Sequence, residues 1–256
     1  VFLEFAQRTV KAAGAVTLPF FRAAVEIENK LSNGRFDPVT EADKAAEHVI
    51  RDALAKEFPT HGIYGEEFGY QKGNGLTWVI DPIDGTRAFM SGMLHWGVLL
   101  GLFDGDVPIV GAMYQPYTDE LFSGDGEQAF FSRGGESRQL RTSSCDELSK
   151  AVLGTTGVDW FVGDARAQFD RLRGEAQLCR MGGDCYIYSI VAMGYMHIGT
   201  DGSLNPYDIQ ALVPIVQGAG GVVTTYDGGN PSMGGTVLAS ANAALHRQAL
   251  EAINRQ

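Results

Sequence analysis

Residues 76–92, LTWVIDPIDGTRAFMSG, constrain this chain more than any other stretch. They open with an apolar run, Leu76, Trp78, Val79 and Ile80, that reads as a buried strand. The run breaks at Asp81-Pro82, a second acid, Asp84, follows at once with Gly85 and Thr86, and residues 87–91 are helix-compatible. Two carboxylates at the end of an apolar strand are costly to hold unpaired. A cation on which Asp81 and Asp84 converge is the simplest way to meet that cost. The N–H groups of Gly85 and Thr86, at a helix start, can face an anion.

The rest of the composition narrows the setting. A chain of 256 residues is one large domain or two small subdomains, with length enough to bury a sizeable core. A formal net charge of −11 argues against nucleic acid and anionic membranes as partners. An anionic substrate would then need a local positive centre, which a metal supplies. The three cysteines, Cys145, Cys179 and Cys185, include no Cys-x-x-Cys pair, so a reducing, cytoplasmic setting is expected and a cysteine metal site is not. No uncharged apolar run approaches the roughly 20 residues that span a bilayer. The first residue is Val1, which leaves open a removed leader.

Periodicity predicts helices over 2–18 and 40–58, a turn at Asn33-Gly34, and a short apolar segment at 63–65 followed by Glu66 and Glu67. Residues 96–103, 107–114, 120–122 and 129–131 read as strands, with a hairpin signal at Asp104-Gly105. The second half reads as strands at 151–155, 177–181, 222–225 and 237–240 and helices at 164–173, 184–197, 206–217 and 243–253. Strands alternating with helices imply α/β layering. The polar stretch 132–149 is the expected boundary between an N-terminal α+β subdomain, 1–140, carrying most candidate metal ligands, and a C-terminal α/β subdomain, 141–256, carrying Asp208 and the substrate contacts.

The chemistry-bearing feature is a set of separated acids, each beside a structural break: Asp43, Glu66, Asp81, Asp84 and Asp208. Hard divalent cations such as Mg²⁺ take this all-oxygen coordination, and two of them sharing carboxylates suit phosphate-ester hydrolysis. Each residue also has a plainer reading. Asp43, three after Thr40, would support a helix start, and Asp208 would face a helix dipole. Glu66 and Glu67 would be a solvated pair, and Thr86 a helix cap. Asp81 and Asp84 fit the plain reading worst. The five histidines lack ligand spacing, and Gly124-Asp-Gly-Glu-Gln-Ala carries acids where a dinucleotide's pyrophosphate would sit.

The segments Asp37-Pro-Val-Thr-Glu-Ala-Asp43, Gly65-Glu-Glu67, Trp78-Val-Ile-Asp-Pro-Ile-Asp-Gly-Thr86 and Pro206-Tyr-Asp208 followed by Gly218-Ala-Gly-Gly221 resemble the inositol monophosphatase family, in the family's order. The resemblance implies a layered α-β-α-β-α fold, a homodimer, and lithium-inhibited, Mg²⁺-dependent hydrolysis of small phosphate monoesters with two to three ions. It implies Glu66, Asp81 and the Ile83 carbonyl at a first metal, Asp81, Asp84 and Asp208 at a second, and Glu66 again at a third. Asp43 and Thr86 would orient the attacking water, and the Gly85 and Thr86 amides would cradle the phosphate. Gly85-Thr-Arg-Ala-Phe89 in place of Gly-Thr-x-Asn-Phe, Tyr207-Asp208 in place of Trp-Asp, and Arg180-Met-Gly-Gly-Asp-Cys-Tyr186 resemble the histidinol-phosphate phosphatase branch. On that resemblance Asp184 and Asp201 fall where the substrate's organic part is touched, although Asp184 would also serve as a helix cap and Asp201 as a turn residue. The expected activity is hydrolysis of histidinol phosphate, with inositol-1-phosphate as the nearest rival. A non-catalytic regulator on the same scaffold is the rival of a different class.

Overall fold

The computed structural model describes residues 1–23, 27–29 and 38–255, and side chains outside 24–40. The Asn33-Gly34 turn, Asp37 and the side chain of Thr40 therefore lie outside the described residues. Helix α1 (Phe2–Thr17) buries Phe5, Ala6, Val10 and Ala13 along one stripe. A short antiparallel pair, β1 (Ile27–Asn29) and β2 (Pro38–Thr40), leads into α2 (Glu41–Glu57), which buries Ala42, Ala46, Ile50 and Leu54.

These two helices cover one face of a large sheet built from β3 (Gly62–Gly65), β4 (Gly69–Gln71), β5 (Thr77–Asp84), β6 (Gly97–Phe103), β7 (Pro108–Gln115), β8 (Glu120–Gly124), β9 (Ala129–Arg133) and β10 (Glu136–Gln139), with α3 (Thr86–Met90) between β5 and β6. Among the described residues its order is β10-β9-β8-β7-β6-β5-β3-β4, antiparallel throughout except for the β3–β5 pair. The second sheet holds β11 (Val152–Thr155), β12 (Leu178–Met181), β13 (Ile198–Leu204), β14 (Val222–Thr225) and β15 (Gly235–Ser240), in the order β12-β11-β13-β15-β14. Helices α5 (Tyr186–Ala192), α6 (Pro206–Ile209) and α7 (Leu212–Gly218) lie between the sheets, and α4 (Asp164–Glu175) and α8 (Ala243–Asn254) cover the far face of the second. The layers run α-β-α-β-α, as the resemblance implies. One apolar core lies under α1 and α2, one between the sheets, and one under α4 and α8. Among the described residues no helix is long and apolar enough to cross a membrane.

The middle layer sits unusually close to the large sheet. A Cβ at Gly111 would lie 1.8 Å from the Ala211 carbonyl oxygen, and one at Gly124 would lie 2.7 Å from that of Pro214. Glycine at these strand positions lets the backbone of α6 and α7 rest directly on the sheet.

Several elements depart from the sequence expectation. β5 does not stop at Asp81-Pro82 but runs to Asp84, with one extra residue against β6 between the Asp81–Leu99 and Asp84–Gly97 pairs. Pro82 has no N–H for a ladder, so a central strand accommodates it at such a bulge. The helix expected over 206–217 is two, because Pro214 has no N–H to offer the Gln210 carbonyl one turn back. The helix expected over 184–197 shrinks to α5, since Asp184 is left-handed at φ 43° and Gly194, at φ 83°, ends the run. The following residues, Ile-Gly-Thr-Asp-Gly-Ser-Leu, form β13, whose polar character hides a strand buried between β11 and β15. β4 and β10 are too short or polar to show apolar alternation. The large sheet extends through Gln139, into the polar stretch read as a boundary.

Candidate active site

In a regular strand, residues three apart point to opposite faces. The β5 bulge removes that constraint and turns Asp81 and Asp84 to one corner. Asp208 arrives there from the first turn of α6, and one oxygen from each of Asp81, Asp84 and Asp208 lies within 4.8 Å of the others. Asp208 also does what the plainer reading asked, accepting the Asn205 N–H at 2.6 Å.

Burial and the crowding of like charges dominate the electrostatics. Burial, and then Glu66, Asp84, Asp208 and Asp43, push the Asp81 carboxyl well above the ordinary range. Asp84 is driven the same way by burial, Asp208 and Asp184, against one opposing backbone bond from the Cys185 N–H at 2.9 Å. Burial and Glu66 lift Asp208 to about 7. Carboxylates that raise one another's pKa are sites where a multivalent cation replaces protons. The donor set, all carboxylate oxygen with no nitrogen or sulfur in the cluster, fits a hard ion such as Mg²⁺.

Asp43 is fully buried on α2, within electrostatic reach of Asp81. Glu66 follows β3 and its N–H donates to the Ile80 carbonyl at 3.2 Å, which ties it to β5 one residue before Asp81. It lines the same cavity as Asp84 and Asp208. The Thr86 hydroxyl donates to the Ile83 carbonyl at 3.1 Å, so two groups expected at the site touch each other. Thr86 is the first helical residue rather than the cap; the cap is Gly85, at φ 86°, where an added Cβ would meet the His95 carbonyl at 2.5 Å.

The cavity, about 280 Å³, is lined by Asp84 and Asp208 of this corner together with Asp184, Asp201, Arg87, Trp160 and Tyr207. Asp184 does not cap α5: the cap position is Cys185, with no side-chain bond. Burial lifts Asp184 to about 6 against the opposing charge of Arg87. Asp201 is no turn residue but a buried member of β13, where it accepts from the Thr155 hydroxyl at 3.0 Å and the Thr156 N–H at 2.7 Å. Burial still pushes it up to about 7. The Arg87 guanidinium lies 4.6 Å from the centre of the Trp160 ring, joining α3 to the turn Val158–Trp160 across the cavity mouth. Sequence reasoning missed Trp160, which sits in a short, mostly apolar run, Val158 to Val162, with no motif to mark it, and Tyr188, whose hydroxyl donates to Asp201 at 3.4 Å. The cysteines are free thiols, and Cys185 is buried beside Asp84.

Comparison with known proteins gives the family and the fold. The model of the inositol monophosphatase family matches residues 1–256. A histidinol-phosphatase from Chlorobaculum parvum is 34% identical over 98% of this chain and 96% of its own. Inositol monophosphatase 3 from Solanum lycopersicum is 34% identical over 99% of this chain and 96% of its own. The solved structure of an inositol monophosphatase from Zymomonas mobilis superposes with a TM-score of 0.86 at 35% identity, covering 98% of this chain and 96% of that one. The chain therefore belongs to the inositol monophosphatase family, and with it to the phosphomonoester hydrolases.

Proposed function

We propose that this protein is a Mg²⁺-dependent histidinol-phosphatase, releasing histidinol and phosphate, with inositol-1-phosphate as the competing substrate. Asp81, Asp84, Asp208, Glu66 and the Ile83 carbonyl would hold two to three ions. When bound, Mg²⁺ supplies positive charge for the phosphate oxygens and the departing alkoxide and lowers the pKa of water. Asp43 and the Thr86 hydroxyl orient that water toward phosphorus, and the Gly85 and Thr86 amides receive the phosphate. No phosphorylated side chain is needed. In this reading residues 1–140 carry most of the ion-binding acids and 141–256 supply Asp208 and the substrate contacts Asp184 and Asp201. A cytoplasmic homodimer inhibited by lithium completes the proposal.

The observation that supports the substrate assignment is the pairing of the Asp84/Asp208 corner with a second acidic region, Asp184 and Asp201, in one cavity. Asp184, with a pKa of about 6, is mostly ionised at neutral pH and complements the ammonium group of histidinol phosphate. The histidinol-phosphatase from Chlorobaculum parvum is as similar to this chain as the tomato inositol monophosphatase, so similarity alone does not choose. Phosphate release from histidinol phosphate, inositol-1-phosphate and glycerol 2-phosphate, each with and without Mg²⁺, tests the assignment. Histidinol phosphate should show the highest kcat/KM and no turnover without the metal. A clear preference for inositol-1-phosphate would overturn the substrate, and metal-independent turnover would overturn the role of the acids.

A further inference from the structure

Helix α2 carries Asp43, Glu47 and Arg51 at four-residue intervals, which places them along one face. Glu47 is fully buried. A carboxylate in that position costs several kcal/mol unless its charge and its lone pairs are met. They are met by the turn that carries Glu66. The Glu67 N–H donates to Glu47 Oε2 at 2.8 Å and the Phe68 N–H to Oε1 at 3.3 Å. Arg51 Nε donates to the same Oε1 at 2.7 Å, and Arg51 Nη2 continues to the Gly69 carbonyl at 2.6 Å.

The contact has been given room. A Cβ at Gly65 would lie 1.9 Å from Glu47 Oε1, so only glycine lets the turn close onto the carboxylate. The His48 ring stacks on Phe68 at 4.4 Å and 16°, and the Arg51 guanidinium lies 5.8 Å from that ring, so α2 grips the turn's outer side as well. The two amides that follow Glu66 in the chain are therefore directed at α2, while Glu66 itself faces the cavity. An apolar residue at position 47 would fill space beside Ala46 and Ile50 but would leave those amides unmet.

We propose that Glu47 and Arg51 are positioning residues for cation binding. They fix the backbone that follows Glu66, residues 67–69, to the same helix that carries Asp43, so that two acids approaching Asp81 from different segments share one rigid frame. This rests on the reading of Glu66 as a cation ligand. Partners one shell removed from a metal ligand change affinity about 10- to 100-fold when replaced.

The test is calorimetric titration of Mg²⁺ into wild type, Glu47→Gln and Arg51→Lys, with the melting temperature of each metal-free protein and the Mg²⁺ dependence of kcat alongside. Glu47→Gln keeps the volume and one acceptor but loses the charge. It should raise the Mg²⁺ Kd at least about 10-fold, recover its kcat at correspondingly higher Mg²⁺, and leave the ester KM at saturating metal unchanged. Arg51→Lys keeps the charge but cannot reach Glu47 and Gly69 together, and should weaken Mg²⁺ by a smaller factor. It carries the test should Glu47→Gln not fold. A folded variant that binds Mg²⁺ as wild type does, or whose kcat does not recover with added metal, overturns the proposal. A wild-type protein that does not bind Mg²⁺ overturns the prior reading of the acids instead.

Discussion

Both ends of the cavity carry buried aspartates, and their surroundings differ in kind. At the Asp81 end, the charged groups that act most strongly on Asp81 are four other carboxylates, although backbone N–H groups of Ile83, Cys185 and Asn205 reach Asp81, Asp84 and Asp208. At the Asp184 end, Asp201 is met by a hydroxyl and an amide of the neighbouring strand and its extension, and Asp184 by the Arg87 charge. The difference is one of charge: a cationic side chain acts on Asp184, and other acids act on Asp81. Acids whose nearest charges are other acids are stable as anions only when a cation joins them. On the proposed function, the Asp81 end would act on the phosphate and the Asp184 end on the rest of the substrate.

If the contrast is correct, the largest effect belongs to the Asp81 end. Asp84→Asn should lower kcat by roughly 10²–10³-fold, on the scale of losing one preorganised electrostatic group. It should leave the metal-free protein as thermally stable as wild type or more so, because it removes one repelling charge. Full turnover in that variant would remove the distinction between the two ends. Asp184→Asn comes next. It should raise KM for histidinol phosphate about tenfold, near the value of one charge-assisted hydrogen bond, with little change for glycerol 2-phosphate. Equal losses on both esters would mean that Asp184 supports the Asp81 end instead.

The smallest effect concerns Asp201 and is read in stability. Its folded pKa, about 7, stands above the ordinary aspartate value, so the folded chain holds a proton that the unfolded chain has released. The stability this contributes is complete below about pH 4 and is lost as pH rises to about 7. Asp201→Asn does not titrate, so its melting temperature relative to wild type should climb by several degrees between pH 4 and pH 7 and level off above. A flat difference across that range would show that the Thr155 and Thr156 bonds already hold Asp201 ionised.

The acids themselves were readable from the chain because each interrupts an apolar pattern. Asp81 and Asp84 stand out since no buried strand carries two carboxylates without a purpose. Their convergence was not readable, because the bulge exists only against β6 and the register is set by residues 97–99. Glu47 and Arg51 look from sequence like a solvent-facing i, i+4 ion pair, and only the arrival of the Gly65–Phe68 turn makes the pair an interior one. β13 escaped because Gly199 and Gly202 read as turn residues. Their glycines are there so that Ile187 and the Trp160 carbonyl can come close, at 2.6 Å from where a Cβ would stand in each case. Helix and strand order, which local periodicity carries well, reached only as far as α/β layering; the α-β-α-β-α arrangement came from the resemblance. The break at Gln210 required noticing that a proline four residues on withholds a donor.

The seating of α6 and α7 on glycines of the large sheet has a consequence for inheritance. Strand β7 contributes none of the five acids, yet any side chain at Gly111 must displace the Ala211 backbone, which directly follows the helix that carries Asp208. On the proposed function, a mutation there would present as a metal-handling defect although it lies on an acid-free strand. The smallest residue on β7 would in that sense be as much a custodian of the ion as the carboxylates.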